Sequence, residues 1–480
     1  MSKRYLENWD VVIGLEIHAQ LASETKIFAG DSAKYTDEPN KNISTITLGM
    51  PGALPVINDK AVELSVKMGL ALGSKIKKKS VFSRKHYFYP DLPKGYQISQ
   101  FDLPICEGGE VEFFVGDELK KVRIERAHME EDAGKSTHRG GYSLIDYNRA
   151  GVPLLEIVTK PDMTSPKEAA EYARTIRSIL RYLEVCDGNL EEGSMRCDCN
   201  ISLKPKGAEK LGTRTELKNI NSFRFVEKAL EFEIARQAAL LEAGESIVQE
   251  TRLYDSAKNK TFSMRAKEDA MDYRYFPEPD LLPAVLTDDY IQKIRETLPE
   301  LPKAKAERFQ SDYGLPEYDS LVMTSDKAMS IYFEDVAKLS KNSKAASNWI
   351  MGELLKNLKE DKVEFEDIKI EADSLAGMIE MIDSGKISGK IAKQVFQEMW
   401  TSGEDAKKIV EAKGLAQISD PKLIEEIVDK VLASSPGQIE QYRGGKTNLY
   451  GFFVGQIMKE SKGQANPALI NKFLKEKLDS

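Results

Sequence analysis

The chain has 480 residues, of which 41% are hydrophobic and 30% charged, with a formal net charge of -8. That composition describes a globular protein with room for about three domains and excludes a disordered or fibrous chain. It also lacks the global basicity that announces a nucleic-acid binder, although a local basic patch serves equally well. No apolar run reaches the roughly 20 residues of a membrane span. The opening Met1-Ser-Lys-Arg-Tyr-Leu-Glu-Asn-Trp-Asp10 has no apolar leader core, so a cytoplasmic protein with no membrane partner is expected. Four cysteines (Cys106, Cys186, Cys197 and Cys199) are too few for a disulfide scaffold.

The first element is a strand over Asp10–Leu21. Val11, Ile13, Leu15, Ile17, Ala19 and Leu21 alternate with Asp10, Val12, Gly14, Glu16, His18 and Gln20. Period two places one face in the core and sets Glu16 and His18 side by side on the other. A carboxylate and an imidazole on rigid backbone can begin a cation site. All four histidines (His18, His86, His128 and His138) fall in the same N-terminal region, so imidazole chemistry belongs there. A turn-rich stretch follows, then a helix over Asp59–Leu72. The segment from His86 to Gln100 is aromatic and proline-rich, and Tyr87, Phe88 and Tyr89 read equally as functional loop or as core.

Residues 110–126 read as paired strands around Gly116-Asp117, leading into Glu130, Glu131 and Asp132. Three adjacent carboxylates are costly unless they face water or share a cation. Gly134-Lys135-Ser136 is no phosphate loop, because the glycine that motif needs five residues earlier is Met129 here. Ser165-Pro166-Lys-Glu168 is a capping box opening a helix to about Leu183. Over Glu192–Leu203, Met195, Cys197, Cys199, Ile201 and Leu203 share an apolar face, and Arg196, Asp198, Asn200 and Ser202 share the other. The two cysteines therefore read as small hydrophobes rather than metal ligands. The polar face supplies Asp198 for a cation, Arg196 for phosphate and Asn200 for orientation, or serves simply as a wet sheet face.

Lys218-Asn-Ile-Asn-Ser222 precedes a long helix to about Glu242. Arg252, Arg265 and Arg274 then stand near aromatic and acidic residues. Strands and helices without regular alternation argue an α+β class. From about Pro299 leucine, lysine and glutamate dominate with helical spacing, as in Leu375, Met378, Ile379 and Ile382. The expected domains are 1–295, 296–405 and 406–480, the last two all-helical. Asn466 and Pro467 mark the start of a final helix. Arg443, Lys446, Lys459 and Lys462 near glycines suit backbone phosphates of a nucleic acid, or a plain solvated surface.

Seven blocks, taken together, resemble one family. They are Gly14-Leu-Glu-Ile-His18, the segment His86–Gln100, His128-Met-Glu-Glu-Asp-Ala-Gly-Lys-Ser-Thr-His138, Asp146–Ile157, Glu192-Gly-Ser-Met-Arg-Cys-Asp-Cys-Asn200, Asp272-Tyr-Arg-Tyr-Phe-Pro-Glu-Pro-Asp280 and Gly455–Pro467. The chain resembles the B subunits of aspartyl/glutamyl-tRNA(Asn/Gln) amidotransferases from end to end. The resemblance implies an N-terminal cradle similar in fold to glutamine synthetase, and helical and tail domains that hold tRNA. It implies a heterotrimer with an amidase A subunit and a small C subunit, acting on misacylated Glu-tRNA(Gln) or Asp-tRNA(Asn) with ATP and Mg²⁺. Many members also bind zinc through four cysteines, but the matching positions here are Ala29, Asp31, Ser44 and Thr47, so no structural zinc is expected.

Under that resemblance Glu16, His18 and Asp198 are the expected metal ligands, completed by Glu130 or Glu131, with positioning of the terminal adenosine of the tRNA as the alternative role for His18. Arg196 is expected on the transferring phosphoryl group, with Arg149, Asn200, Lys218 and Arg274 as further nucleotide contacts. The catalytic set is then Glu16, His18, Glu130, Glu131, Arg196 and Asp198. Two other classes fit the same residues: a stand-alone ATP-dependent ligase acting on free glutamate, and a non-catalytic tRNA-binding scaffold.

Overall fold

The computed structural model describes residues 7–264, 273–418, 420–461 and 463–478, and for Glu366 the backbone alone. Arg265, Asp272 and Lys462 lie outside the described residues. The protein is mixed α+β, a large sheet unit followed by a helical one, with the division between Pro302 and Lys303. No helix among the described residues is long and apolar enough to cross a membrane.

The sheet unit is built on the Trp9–Gln20 strand. Its apolar positions Val11, Ile13, Leu15, Ile17 and Ala19 are all buried, as the period-two reading requires. Around it the sheet runs in the order Lys260–Ser263, Thr251–Asp255, Thr215–Lys218, Met195–Pro205, Trp9–Gln20, Pro153–Thr159, Glu118–Glu131, Tyr96–Gln100, Phe82–His86 and Phe276–Pro277. Neighbours are antiparallel except for the Thr215–Lys218 and Thr251–Asp255 pair.

One face of this sheet is covered by helices Asp59–Ala71, Pro166–Tyr182 and Phe223–Glu242, whose apolar stripes share its core. Each begins where the sequence supplies a cap. The Asn58 side chain accepts from the Lys60 and Ala61 amides, and Ser222 accepts from Phe225. At the start of the Pro166–Tyr182 helix Ser165 accepts from the Glu168 amide, but the Glu168 carboxylate accepts from the Thr164 amide, one residue before the cap. The opposite face carries the polar residues.

The strand after Gly116 does not stop at residue 126. A register shift between Ile124 and Arg126 changes the parity, and Ala127 and Met129 return to the core face, so the strand extends to Glu131 and carries two of the three adjacent acids on rigid backbone. Between Glu131 and Pro153 the chain makes one excursion, a two-stranded hairpin of Lys135–Arg139 and Tyr142–Asp146. Phe88 and Tyr89 are 88% and 62% exposed, which removes them from the core.

The helical unit holds two separate apolar cores. One gathers Phe309, Phe333, Ile350, Leu375, Ile379, Val395 and Met399, and the other Ile424, Val428, Phe453, Ile457, Ile470 and Leu474. The last helix, Pro467–Leu478, is capped by Asn466 as the sequence implies. Arg443 donates to the carbonyls of Lys477 and Leu478 and so closes that helix's end.

Candidate functional site

Strand register brings the polar residues together. Glu16 stands directly across from Asp198, His18 from Arg196, and Gly14 from Asn200. On the other side His18 pairs with Glu156, and Glu156 with His128. Directly paired residues share a sheet face, so Glu16, His18, Arg196, Asp198, Asn200, Glu156 and His128 from four neighbouring strands converge without any loop.

At the centre, Nε2 of His18 lies 3.6 Å from Glu130 and 3.6 Å from Glu156. The donor atoms of His18, Glu130 and Glu156 all fall within 4.8 Å of one another. His128 adds its Nε2 at 3.1 Å from the Glu156 carboxylate. On the neighbouring strands Asn200 donates to Glu16 at 2.8 Å, and Lys218 donates to Asp198 at 2.7 Å and lies 3.0 Å from Glu216. Arg196 reaches Asp132 at 2.9 Å, and Gln20 donates to the same carboxylate.

The electrostatics follow from this crowding. Burial opposes charge on His18, yet Glu156 and Glu130 lift its pKa to about 9. Burial likewise disfavours the charged form of Glu156, but His128 and His18 hold it well below the usual carboxylate range. Glu16 moves the other way: burial and the neighbouring Glu156 raise it, against the hydrogen bond from Asn200. Lys218 and Arg196 keep their charge firmly, burial being outweighed by Asp198 for the first and Asp132 for the second.

The donor set fits a hard divalent cation. Carboxylates dominate it, an imidazole completes it, and a cation would relieve the mutual repulsion of Glu16, Glu130, Glu156 and Asp198. Buried atoms point to a ligand here as well: the Nδ1 of His18, the Nδ1 of His128 and the Nε of Arg196 have no hydrogen-bond partner among the described residues.

The three adjacent acids have separate fates. Glu130 faces His18. Glu131 turns to the other side of the strand, where its carboxylate binds Lys94 at 2.5 Å and accepts from the Ile98 amide, beside a cavity of about 200 Å³ that Lys26 and Thr47 also line. It is therefore apart from the His18 group, and Glu156 stands in the place expected for it. Asp132 lies beyond Glu130 and holds Arg196.

Of the remaining expected contacts, Asn200 and Lys218 join the cluster. Arg149 braces the base of the hairpin, donating to the Ala133 and Gly134 carbonyls, and its Nε lies 3.4 Å from the Asp132 carboxylate that also holds Arg196. Arg274 sits beside the far edge of the sheet, its carbonyl 3.2 Å from His86 Nδ1. Glu156 and His128 were not singled out by sequence reasoning. The available signal for Glu156 was a lone acid between Leu155 and Ile157, both wholly buried, and for His128 its two-residue spacing from Glu130, which mirrors Glu16 and His18.

Among Ala29, Asp31, Ser44 and Thr47, Asp31 accepts from the Thr47 hydroxyl, and the buried Lys26 amino group stands 3.9 Å from Asp31. Ser44 accepts from the Ile46 amide. This set holds no soft ligand. Cys106 is buried, and burial pushes its thiol up to about 12, so it is no nucleophile at neutral pH.

Comparison with known proteins agrees in both halves of the chain. Residues 11–292 match the family model described as the GatB/GatE catalytic domain, and residues 331–478 match the GatB domain. The aspartyl/glutamyl-tRNA(Asn/Gln) amidotransferase B subunit from Bdellovibrio bacteriovorus is 60% identical over 471 residues, covering 98% of this chain and 99% of that one. The proteins of the same name from Trichlorobacter lovleyi and Thermodesulfovibrio yellowstonii are 53% and 54% identical, each across 97% of this chain and 98% of their own. A sheet face that gathers these acids, and a match running through both units, place the chain in the family of aspartyl/glutamyl-tRNA(Asn/Gln) amidotransferase B subunits.

Proposed function

We propose that this chain forms the amide on misacylated tRNA: it activates the side-chain carboxylate of Glu-tRNA(Gln) or Asp-tRNA(Asn) with ATP and passes it to ammonia. The observation that carries the reading is the meeting of Glu16, His18, Glu130, Glu156 and Asp198 with Arg196 and Lys218 on one sheet face. The proposal includes kinship of the sheet unit with the glutamine synthetase fold, supported by its open, acid-rich antiparallel face.

A carboxylate does not accept ammonia directly, because oxide is a very poor leaving group. Transfer of the terminal phosphoryl group of ATP to a carboxylate oxygen releases ADP and leaves an acyl phosphate. Ammonia then attacks the carbonyl carbon, the bond to the phosphate oxygen breaks, and phosphate departs. Such chemistry needs positioned cations rather than a protein nucleophile. Magnesium, when bound, would neutralise charge on the phosphates; His18, Glu130 and Glu156 would hold it, with Glu16 on the His18 strand and Asp198 on the next.

The other roles belong to the chain's own cations. Arg196, fixed by Asp132 and with its Nε free of any described protein acceptor, faces the phosphoryl oxygens. Lys218, held by Asp198 and Glu216, supplies a second positive charge. The ammonia comes from glutamine hydrolysed by a partner amidase A subunit, with a small C subunit completing a cytoplasmic heterotrimer. Placing glutamine hydrolysis elsewhere is supported by the buried and protonated state of Cys106.

The test is ATP-dependent amidation of purified Glu-tRNA(Gln) by the reconstituted trimer, repeated with Asp-tRNA(Asn). Formation of Gln-tRNA or Asn-tRNA with stoichiometric phosphate release is expected. ATP turnover on free glutamate that ignores added tRNA would replace the proposal with a stand-alone ligase. Full amidation without Glu16 and Asp198 would make the chain a scaffold.

A further inference from the structure

The excursion between Glu131 and Pro153 leaves and re-enters the sheet at the site itself. The Asp132 amide donates to the Val152 carbonyl and the Gly151 amide to the Asp132 carbonyl, so both ends are pinned next to the acid that holds Arg196. A two-stranded hairpin is marginal by itself in water, and this one is braced from outside. Asn40 clamps the returning strand at its base, donating through its backbone to Asp146 and through its side chain to the Ile145 carbonyl while accepting from the Tyr147 amide. Gly134 is packed so tightly against the Asp146 and Asp91 carbonyls that a Cβ would stand 2.8 and 3.0 Å from them.

What this braced ribbon presents is unusual. Register pairs Arg139 with Tyr142, Thr137 with Leu144 and Lys135 with Asp146, so these residues share one face. Tyr142 is 64% exposed and Leu144 49% exposed, with Arg139 and Lys135 exposed beside them. The one acid on this face is already engaged, Asp146 accepting from the Asn40 and Asn148 amides. The other face carries His138, bonded to Ser143. An exposed aromatic ring with one cation directly across from it and a second at the base of the same face suits unpaired bases, which stack on the ring while their phosphates meet the charges.

Length agrees with that occupant. Strands of five residues reach about 15 Å from their base. That equals a few stacked nucleotides at roughly 3.4 Å each along one strand.

We propose that the Lys135/Arg139/Tyr142/Leu144 face seats the unpaired 3′ end of the tRNA, leading its ester-linked amino acid to the His18–Glu130–Glu156 group; this rests on the reading of that group as a site for a tRNA-borne carboxylate. Tyr142 is the stacking platform, and Arg139 and Lys135 contact the backbone.

The test compares the complete complex carrying Arg139→Ala, Tyr142→Ala or Tyr142→Phe with the unaltered one. For the two alanine variants the KM for Glu-tRNA(Gln) is expected to rise about tenfold, in keeping with stacking and phosphate contacts, while the KM for ATP stays unchanged. Tyr142→Phe keeps the ring and is expected to retain affinity. Inhibition by intact deacylated tRNA weakens in the alanine variants, whereas inhibition by tRNA trimmed of its unpaired 3′ nucleotides stays the same. An unchanged KM for tRNA, equal weakening toward trimmed tRNA, or a Tyr142→Phe variant as impaired as Tyr142→Ala each overturns the proposal. Loss of a partner chain at constant tRNA affinity also overturns it and makes the face a protein interface. Inactivity of the unaltered complex toward any misacylated tRNA sinks the functional reading instead, which keeps the two failures distinct.

Discussion

The Nε2 of His128 stands 3.1 Å from the Glu156 carboxylate. Glu156 thereby has an imidazole on either side, His128 and His18, and its orientation is fixed before any cation arrives. Groups that hold a ligating carboxylate from behind commonly contribute about 10–100-fold in metal affinity. His128→Gln is therefore expected to weaken Mn²⁺ or Mg²⁺ binding by about that factor, read by calorimetric titration of the purified chain. Glu156→Gln, which removes a ligand outright, should weaken it further. Equal affinities for His128→Gln and the unaltered chain would leave His128 as simple core.

The same group makes cation binding pH-dependent. Without a cation the carboxylates of Glu156 and Glu130 hold the His18 pKa at about 9 despite burial. Ligation needs the neutral imidazole, so binding displaces a proton. Apparent affinity is expected to climb about tenfold per pH unit between pH 7 and 9 and to flatten above 9. Stability of the cation-free protein runs the opposite way. A histidine raised from 6.5 to about 9 stabilises the fold fully below pH 6.5, and that contribution, on the order of 3 kcal/mol, is lost as pH rises through 9. A melting temperature that falls from pH 6.5 to 9 without divalent cations, and falls less with them, is the expected signature.

Asp198 sits across from Glu16 and binds Lys218, so its removal disturbs two neighbours at once. Asp198→Ala is expected to abolish ATP-dependent amidation while glutamine hydrolysis by the partner amidase continues. Lys218→Met is expected to lower amidation by about 10²-fold, the scale at which single electrostatic contacts to a transition state act. Both activities can be followed in one reaction, as glutamate released and amide formed. Unimpaired amidation by Asp198→Ala would remove that residue from the site.

Much of this site is visible in the alternation of two short stretches. Apolar parity across Val11–Leu21 and Met195–Leu203 turns Glu16, His18, Arg196, Asp198 and Asn200 outward, and all five do lie on the polar face. Parity states the face but not the partner: nothing local tells that Glu16 meets Asp198 or that His18 meets Glu156, because register is settled by the whole sheet. The same limit hid Glu156, whose strand is apolar on both sides as befits a central position. Glu130 and Glu131 look equivalent in a run of three acids, and only the extension of the strand through Met129 sends them to opposite faces. Helix starts are legible because Asn58, Ser165 and Asn466 are local signals with a local mechanism.

Glu131 offers the last and most physical test, because its duty is opposite to that of its neighbour. Its carboxylate is 4% exposed and accepts both from Lys94 at 2.5 Å and from the Ile98 amide at 2.7 Å. Glu131→Gln keeps the volume but leaves the Lys94 ammonium without its counter-charge in a largely desolvated position. Breaking one partner of a buried pair costs about 3–5 kcal/mol. Glu131→Gln should lower the stability of the sheet unit by that order in urea, and Lys94→Met should do so by a similar amount. The double replacement Glu131→Gln with Lys94→Met should recover part of the loss, because the unpaired charge is gone. Cation binding at His18, Glu130 and Glu156 should stay close to that of the unaltered chain in all three, since Glu131 points away from them. A large loss of cation affinity in Glu131→Gln would instead return this acid to the metal-holding face.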